Sequence, residues 1–139
     1  MTVALEDKLA IHELMGRVQF GYDERDIDML RECFTEDAEF SMRIAKGDLV
    51  GPFVGREAIM GLMTGAMEEQ TDVRRHVVSN LFFEEGDPEK PVVVSNLTLM
   101  ATENGEIQLL SAGIYRDTVV KSDDGWQILN RYLELDKPY

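Results

Sequence analysis

Apolar residues near the start of the chain return at steps of three and four: Ile11, Leu14, Met15, Val18 and Tyr22. That spacing gathers them on one face of an amphipathic helix, predicted from Leu5 to Tyr22. Gly21 loosens its end, and Asp26 stands where an N-cap is needed for a second, short helix over 27–34. There Leu30, Cys33 and Phe34 share a face. Ala38 to Ile44 reads as a strand, followed by a glycine-rich excursion through Gly47, Gly51, Pro52 and Gly55. Arg56 to Met67 is predicted as a third helix, with Ile59, Leu62, Met63 and Met67 in one stripe.

Four strands complete the pattern: Val73–Glu85, Val92–Glu103, Glu106–Lys121 and Trp126–Asp136. Gly86-Asp87-Pro88, Asn104-Gly105 and Asp123-Asp124-Gly125 separate them with turn chemistry. Asn104-Gly105 is the sharpest local signal, because a type I′ turn needs positive φ at both central residues. Helices first and hairpin-linked strands last imply an α+β fold with the helices on one side of a bent sheet. No repeat or linker interrupts residues 1–139, so one domain is expected. The strands carry apolar residues on both faces, as in Val77, Val78, Leu81, Phe82, Phe83 and Val92, Val93, Val94. Helices can cover only one face, so a homo-oligomer is expected, most simply a dimer.

Composition narrows the function classes. The formal net charge is −13, with 27 acidic residues against 14 Lys and Arg. Such a field repels phosphate backbones and anionic lipid, so neither nucleic acid nor membrane is expected as a partner. No apolar run is long enough for a membrane span, and the N-terminal residues lack a basic start and an apolar signal core. With Cys33 as the single cysteine, no intrachain disulfide can form; a cytoplasmic protein is expected, with Cys33 a small core residue.

Several phrases, in order, resemble the SnoaL-like branch of the nuclear-transport-factor-2-like (NTF2-like) superfamily. They are Gly21-Tyr22-Asp23 followed by Glu24-Arg25-Asp26, Cys33-Phe34-Thr35-Glu36-Asp37-Ala38, and Gly55-Arg56-Glu57-Ala58-Ile59. Arg75-His76-Val77-Val78-Ser79-Asn80, Gly113-Ile114-Tyr115-Arg116-Asp117 and Asp124-Gly125-Trp126-Gln127-Ile128 continue the series over nearly the whole chain. The resemblance implies an NTF2-like cone, in which N-terminal helices pack in the concave face of a strongly bent antiparallel or mixed sheet, leaving a blind pocket at the wide end. Fold alone does not name a reaction, since the superfamily holds lyases, isomerases, hydrolases and plain binding proteins.

The chemistry rests on two residues. In scytalone-dehydratase-like and hexachlorocyclohexane-dehydrochlorinase-like relatives, an Asp ending the first helix pairs with a His on the strand after the third; Asp23 and His76 hold matching positions. A neutral imidazole can take a proton near neutral pH, and a carboxylate fixes its tautomer and stabilises the imidazolium. Alternatively, Asp23 closes the loop before the second helix and His76 is an ordinary polar strand residue. Secondary contacts are assigned to Tyr22, whose phenol could polarise an oxygen; to Asn80, on the His76 face by period-two alternation; and to Asn96 and Tyr115. Val18 is expected against the substrate, where dehydrochlorinase-like relatives carry a lysine, which argues against a departing halide. His12 reads as helix surface and Trp126 as a packing anchor. No metal-ligand spacing, phosphate loop or nucleophile elbow is present, so neither metal nor cofactor is expected. The resulting expectation is a cofactor-independent lyase of dehydratase type, or an isomerase, acting on a small, largely apolar oxygenated molecule. The alternatives are a non-catalytic binding protein and a structural subunit like the small subunit of ring-hydroxylating dioxygenases.

Overall fold

The structure, a computed structural model, describes residues 2–139. The first apolar stripe folds as α1 (Leu5–Asp23), burying Ile11, Leu14, Met15 and Val18 against the sheet. Asp26 accepts from the Met29 N–H at 3.2 Å and starts α2 (Ile27–Glu32), which ends two residues before the predicted limit. Gly21 lies against α2: a Cβ there would meet the Leu30 backbone N at 3.0 Å, so a side chain at this position would press the two helices apart by a few tenths of an ångström. Phe34 already belongs to β1 (Phe34–Ile44). α3 (Arg56–Glu69) follows Gly55, whose φ of 95° suits a residue without a side chain.

Between β1 and α3 the structure places a strand, β2 (Val50–Val54), that the glycine and proline content had concealed. It pairs with β1 alone, at the sheet edge, where Pro52 can be tolerated because its missing N–H need not serve a second neighbour. β3 (Val73–Phe83), β4 (Val92–Glu103), β5 (Glu106–Ser122) and β6 (Gly125–Leu135) form the antiparallel meander the turn signals imply. Asn104 and Gly105 take φ of 53° and 78°, and Glu103 pairs with Glu106 across them. The six strands run β2-β1-β6-β5-β4-β3, and β1 lies parallel to β6, so the sheet is mixed and open. The chain thus has the α+β, NTF2-like cone architecture.

A bulge in β3 decides which of its side chains face the helices. Ser79 pairs with Asn96 and Phe82 with Val94, so β3 spends one more residue than β4 over this stretch. Asn80 absorbs it with φ of 53°, a conformation asparagine tolerates. Val78 packs on the core before the bulge, Leu81 and Phe83 after it. The opposite face of β3, β4 and β5 carries Val77, Phe82, Ile107, Leu109 and Ile114, each left 44–67% exposed. No described helix is long and apolar enough to cross a membrane.

Candidate active site

α1 and β3 come together where α1 ends in Tyr22 and Asp23. The Asp23 carboxylate meets His76 twice: Oδ2 accepts the His76 backbone N–H at 2.7 Å, and Oδ1 lies 2.5 Å from the ring Nδ1. One side chain therefore grips backbone and imidazole of the same residue, fixing the ring by two anchors. Both side chains are largely buried, at 12% exposure for His76 and 6% for Asp23. A carboxylate can only accept from Nδ1, so this contact favours the proton on Nδ1 and leaves Nε2 with a free lone pair.

His76 lines a cavity of about 110 Å³. Its walls are mainly apolar: Val18 and Leu30 from the first two helices, Phe40 and Met42 from β1, Leu62, Met63 and Ala66 from α3, and Leu133 from β6. Apolar walls with few polar groups are the usual make-up of a small-molecule site. Tyr22 presents its ring edge-on to His76 at 5.0 Å, and its hydroxyl accepts from the Gln70 carboxamide at 2.6 Å. Burial pushes the Tyr22 phenol up, with the Gln70 hydrogen bond opposing, so it stays a neutral hydroxyl. Tyr139, whose ring lies 4.9 Å from the Arg74 guanidinium, borders the same cavity.

Tyr22, Val18, Tyr115 and His76 thus share one pocket, with Asp23 behind the imidazole. Asn80 and Asn96 do not join them. Asn96 is exposed and pairs with Ser79, and Asn80 is exposed within the bulge, which breaks the alternation that would carry His76's face to it. His12 is exposed on α1, and Trp126 anchors α1 at the other end by donating Nε1–H to Asp7 at 3.1 Å. Cys33 is buried and donates to the Met29 carbonyl at 3.2 Å; burial pushes its thiol up to about 11, so it is an inert core group.

Three buried polar residues escaped the sequence reading, two of which, Arg131 and Gln19, line the pocket. Arg131 is buried, and its Nε and Nη2 donate to Asp117 at 2.7 and 3.1 Å. The guanidinium also lies 3.9 Å from the Tyr115 ring centre. Burial pushes the Asp117 carboxyl up against the pull of Arg131, while Asp117 holds Arg131 charged against its own desolvation. Gln19 is the third, a buried carboxamide on the apolar face of α1. The signal was legible: Arg131 falls in phase with Leu133 and Leu135, Asp117 with Tyr115 and Val119, and Gln19 four residues after Met15. A polar residue on a buried stripe is the informative exception. Among the described residues, no three His, Cys, Asp or Glu converge as metal ligands.

The model of the SnoaL-like domain family matches residues 3–132. No curated protein matches the sequence significantly. Among solved structures, Aln2 from a Streptomyces species is similar with a TM-score of 0.82 and 22% identity, over 98% of this chain and 95% of that one. A protein with a cystatin-like fold from Nostoc punctiforme has a TM-score of 0.79 and 22% identity, over 98% and 96%. The beta subunit of the benzoate 1,2-dioxygenase from Burkholderia mallei has a TM-score of 0.79 and 19% identity, over 97% and 92%. At these identities the likeness shows the fold alone.

Proposed function

The chain belongs to the SnoaL-like domain family, and we propose that within it this protein is a cofactor-independent lyase of dehydratase type, or an isomerase, acting on a small, largely apolar oxygenated molecule. The observation that carries the reading is the double grip of Asp23 on His76 at the wall of an apolar pocket. With Nδ1 engaged, Nε2 is the ring nitrogen that a ligand would meet. It takes a proton from a carbon next to a carbonyl, and the C–H electron pair moves toward the carbonyl oxygen. Asp23 stabilises the imidazolium so formed. In an elimination the β-hydroxyl departs with the returned proton as water; in an isomerisation the proton is delivered to another carbon. Tyr22 stands beside the ring as a neutral donor.

The test needs no knowledge of the natural substrate. Small cyclic ketones, led by 2-tetralone, are incubated in deuterium oxide, and loss of the protons beside the carbonyl is followed by proton NMR. Exchange faster than buffer with the wild-type protein, and largely lost in His76→Ala, is the expected result. A panel that exchanges no faster than buffer overturns the enzymatic reading in favour of a binding protein. We further propose that the protein pairs with a second copy through the outer sheet face. Its support is the cluster of Val77, Phe82, Ile107, Leu109 and Ile114, which the described residues leave largely exposed.

A further inference from the structure

The polar groups that α1 and β5 bring to the pocket wall at Gln19 and Tyr115 differ in kind from those around His76. Gln19 is 5% exposed and lines the pocket, and although its carboxamide approaches the Tyr115 phenol, its Nε2 meets no described residue with full hydrogen-bond geometry. An unpaired buried amide N–H is a standing loss unless something enters to accept it. Beside it stands Tyr115, 3% exposed and also on the pocket wall. Burial pushes its phenol up to about 12, with the Arg131 charge and the Gln19 carboxamide opposing, so Tyr115 holds its proton and can donate it. The nearby carboxylate is spent: Asp117 receives Arg131 in a two-point pair. The region therefore offers donors and lacks a free carboxylate. Gln19 lies four residues before Asp23 on α1, about 6 Å along the axis from the residue that grips His76.

We propose that Gln19 and Tyr115 form a donor subsite for an acceptor oxygen, roughly one helical turn along α1 from the Asp23 that grips His76, and that the pocket thereby selects carbonyl compounds over hydrocarbons of the same shape. The proposal deepens the function proposed above and rests on the same pocket being the binding site. The held oxygen is the one on which charge gathers when His76 removes the neighbouring proton, so two donors aimed at it also suit an enolate. The spacing requires the labile C–H to lie a few bonds from that oxygen, on the His76 side.

Acetophenone and α-methylstyrene make a matched pair of probes, since a C=CH2 group replaces C=O in nearly the same volume. Their affinities are measured by protein-observed NMR titration. Wild type is expected to bind acetophenone about tenfold or more tightly than its isostere, the discrimination typical of a paired against an unpaired buried donor. Gln19→Met and Tyr115→Phe should each bring the preference down several-fold while still binding α-methylstyrene, which reports that the pocket remains folded. His76→Ala should keep the preference. Equal binding of the two probes by wild type, an undiminished preference in Gln19→Met, or its loss in His76→Ala would overturn the subsite. An intact preference in a protein that fails to exchange ketone protons would remove the catalytic reading and leave the subsite standing.

Discussion

His76 should be held as the Nδ1–H tautomer, and that state should depend on Asp23. The magnitude follows from the geometry. An N–H···O contact of 2.5 Å to a carboxylate is a charge-assisted hydrogen bond. Such bonds contribute about 1.5–3 kcal/mol, and about 1.4 kcal/mol is a factor of ten. The neutral ring should therefore favour Nδ1–H over Nε2–H by between ~10 and ~100. Asp23→Asn keeps the shape but leaves one acceptor oxygen for two N–H groups, the backbone one at 2.7 Å and the ring one. The preference should then fall about tenfold or vanish. Two-bond proton–nitrogen correlation spectra on labelled protein read the tautomer directly, with His76→Ala used to separate the signals from those of His12. An Nε2–H tautomer or an even mixture in wild type would refute the reasoning, since Nε2 would then have no free pair with which to take a proton.

For the exchange reaction, His76→Ala and Asp23→Asn should each cost about 10²–10⁴ in rate, and the double variant should lose little more, as expected of groups acting together. Urea unfolding should show Asp117→Ala less stable by about 3–5 kcal/mol, because Arg131 is left buried without its partner. Asp117→Leu combined with Arg131→Met should recover most of that loss; a loss confined to a few tenths of a kcal/mol in the single variant, taken as about the error of the assay, would contradict the pairing. Alkaline stability should fall in a defined window. The Cys33 thiol, ordinarily near 9.0, is held at about 11, so the unfolded chain ionises first and stability present below pH 9.0 is lost as pH rises toward about 11. Cys33→Ala should remove this component, on the order of 2 kcal/mol, when denaturation curves at pH 8 and pH 11 are compared. Light scattering across a dilution series should give the mass of two chains, and Phe82→Glu should reduce it to one; a wild-type monomer at micromolar concentration would dismiss the pairing.

Local order was legible in the chain. The α1 stripe, the Asp26 cap and the positive-φ pair Asn104-Gly105 depend on neighbours three or four residues away at most, and each formed as its chemistry dictates. The approach of Asp23 to His76 was anticipated from motif resemblance rather than from periodicity, because 53 residues separate them. Other placements waited for the tertiary structure. β2 exists because β1 offers it an edge, which outweighs the poor strand tendency of Gly51 and Pro52. Asn80 left the His76 face because one extra residue in β3 reverses the alternation, and strand periodicity carries no mark of a bulge. Gln19, Asp117 and Arg131 stood on buried stripes in plain view, but their meaning depends on which partner each one finds. Asp117 and Arg131 satisfy one another across the register of β5 and β6, whereas Gln19 lines the cavity with an Nε2 that makes no full hydrogen bond among the described residues. Elements follow from short-range sterics and hydrophobic spacing; a pocket's unpaired groups are a difference between contacts made and contacts missed, which only the packed chain defines.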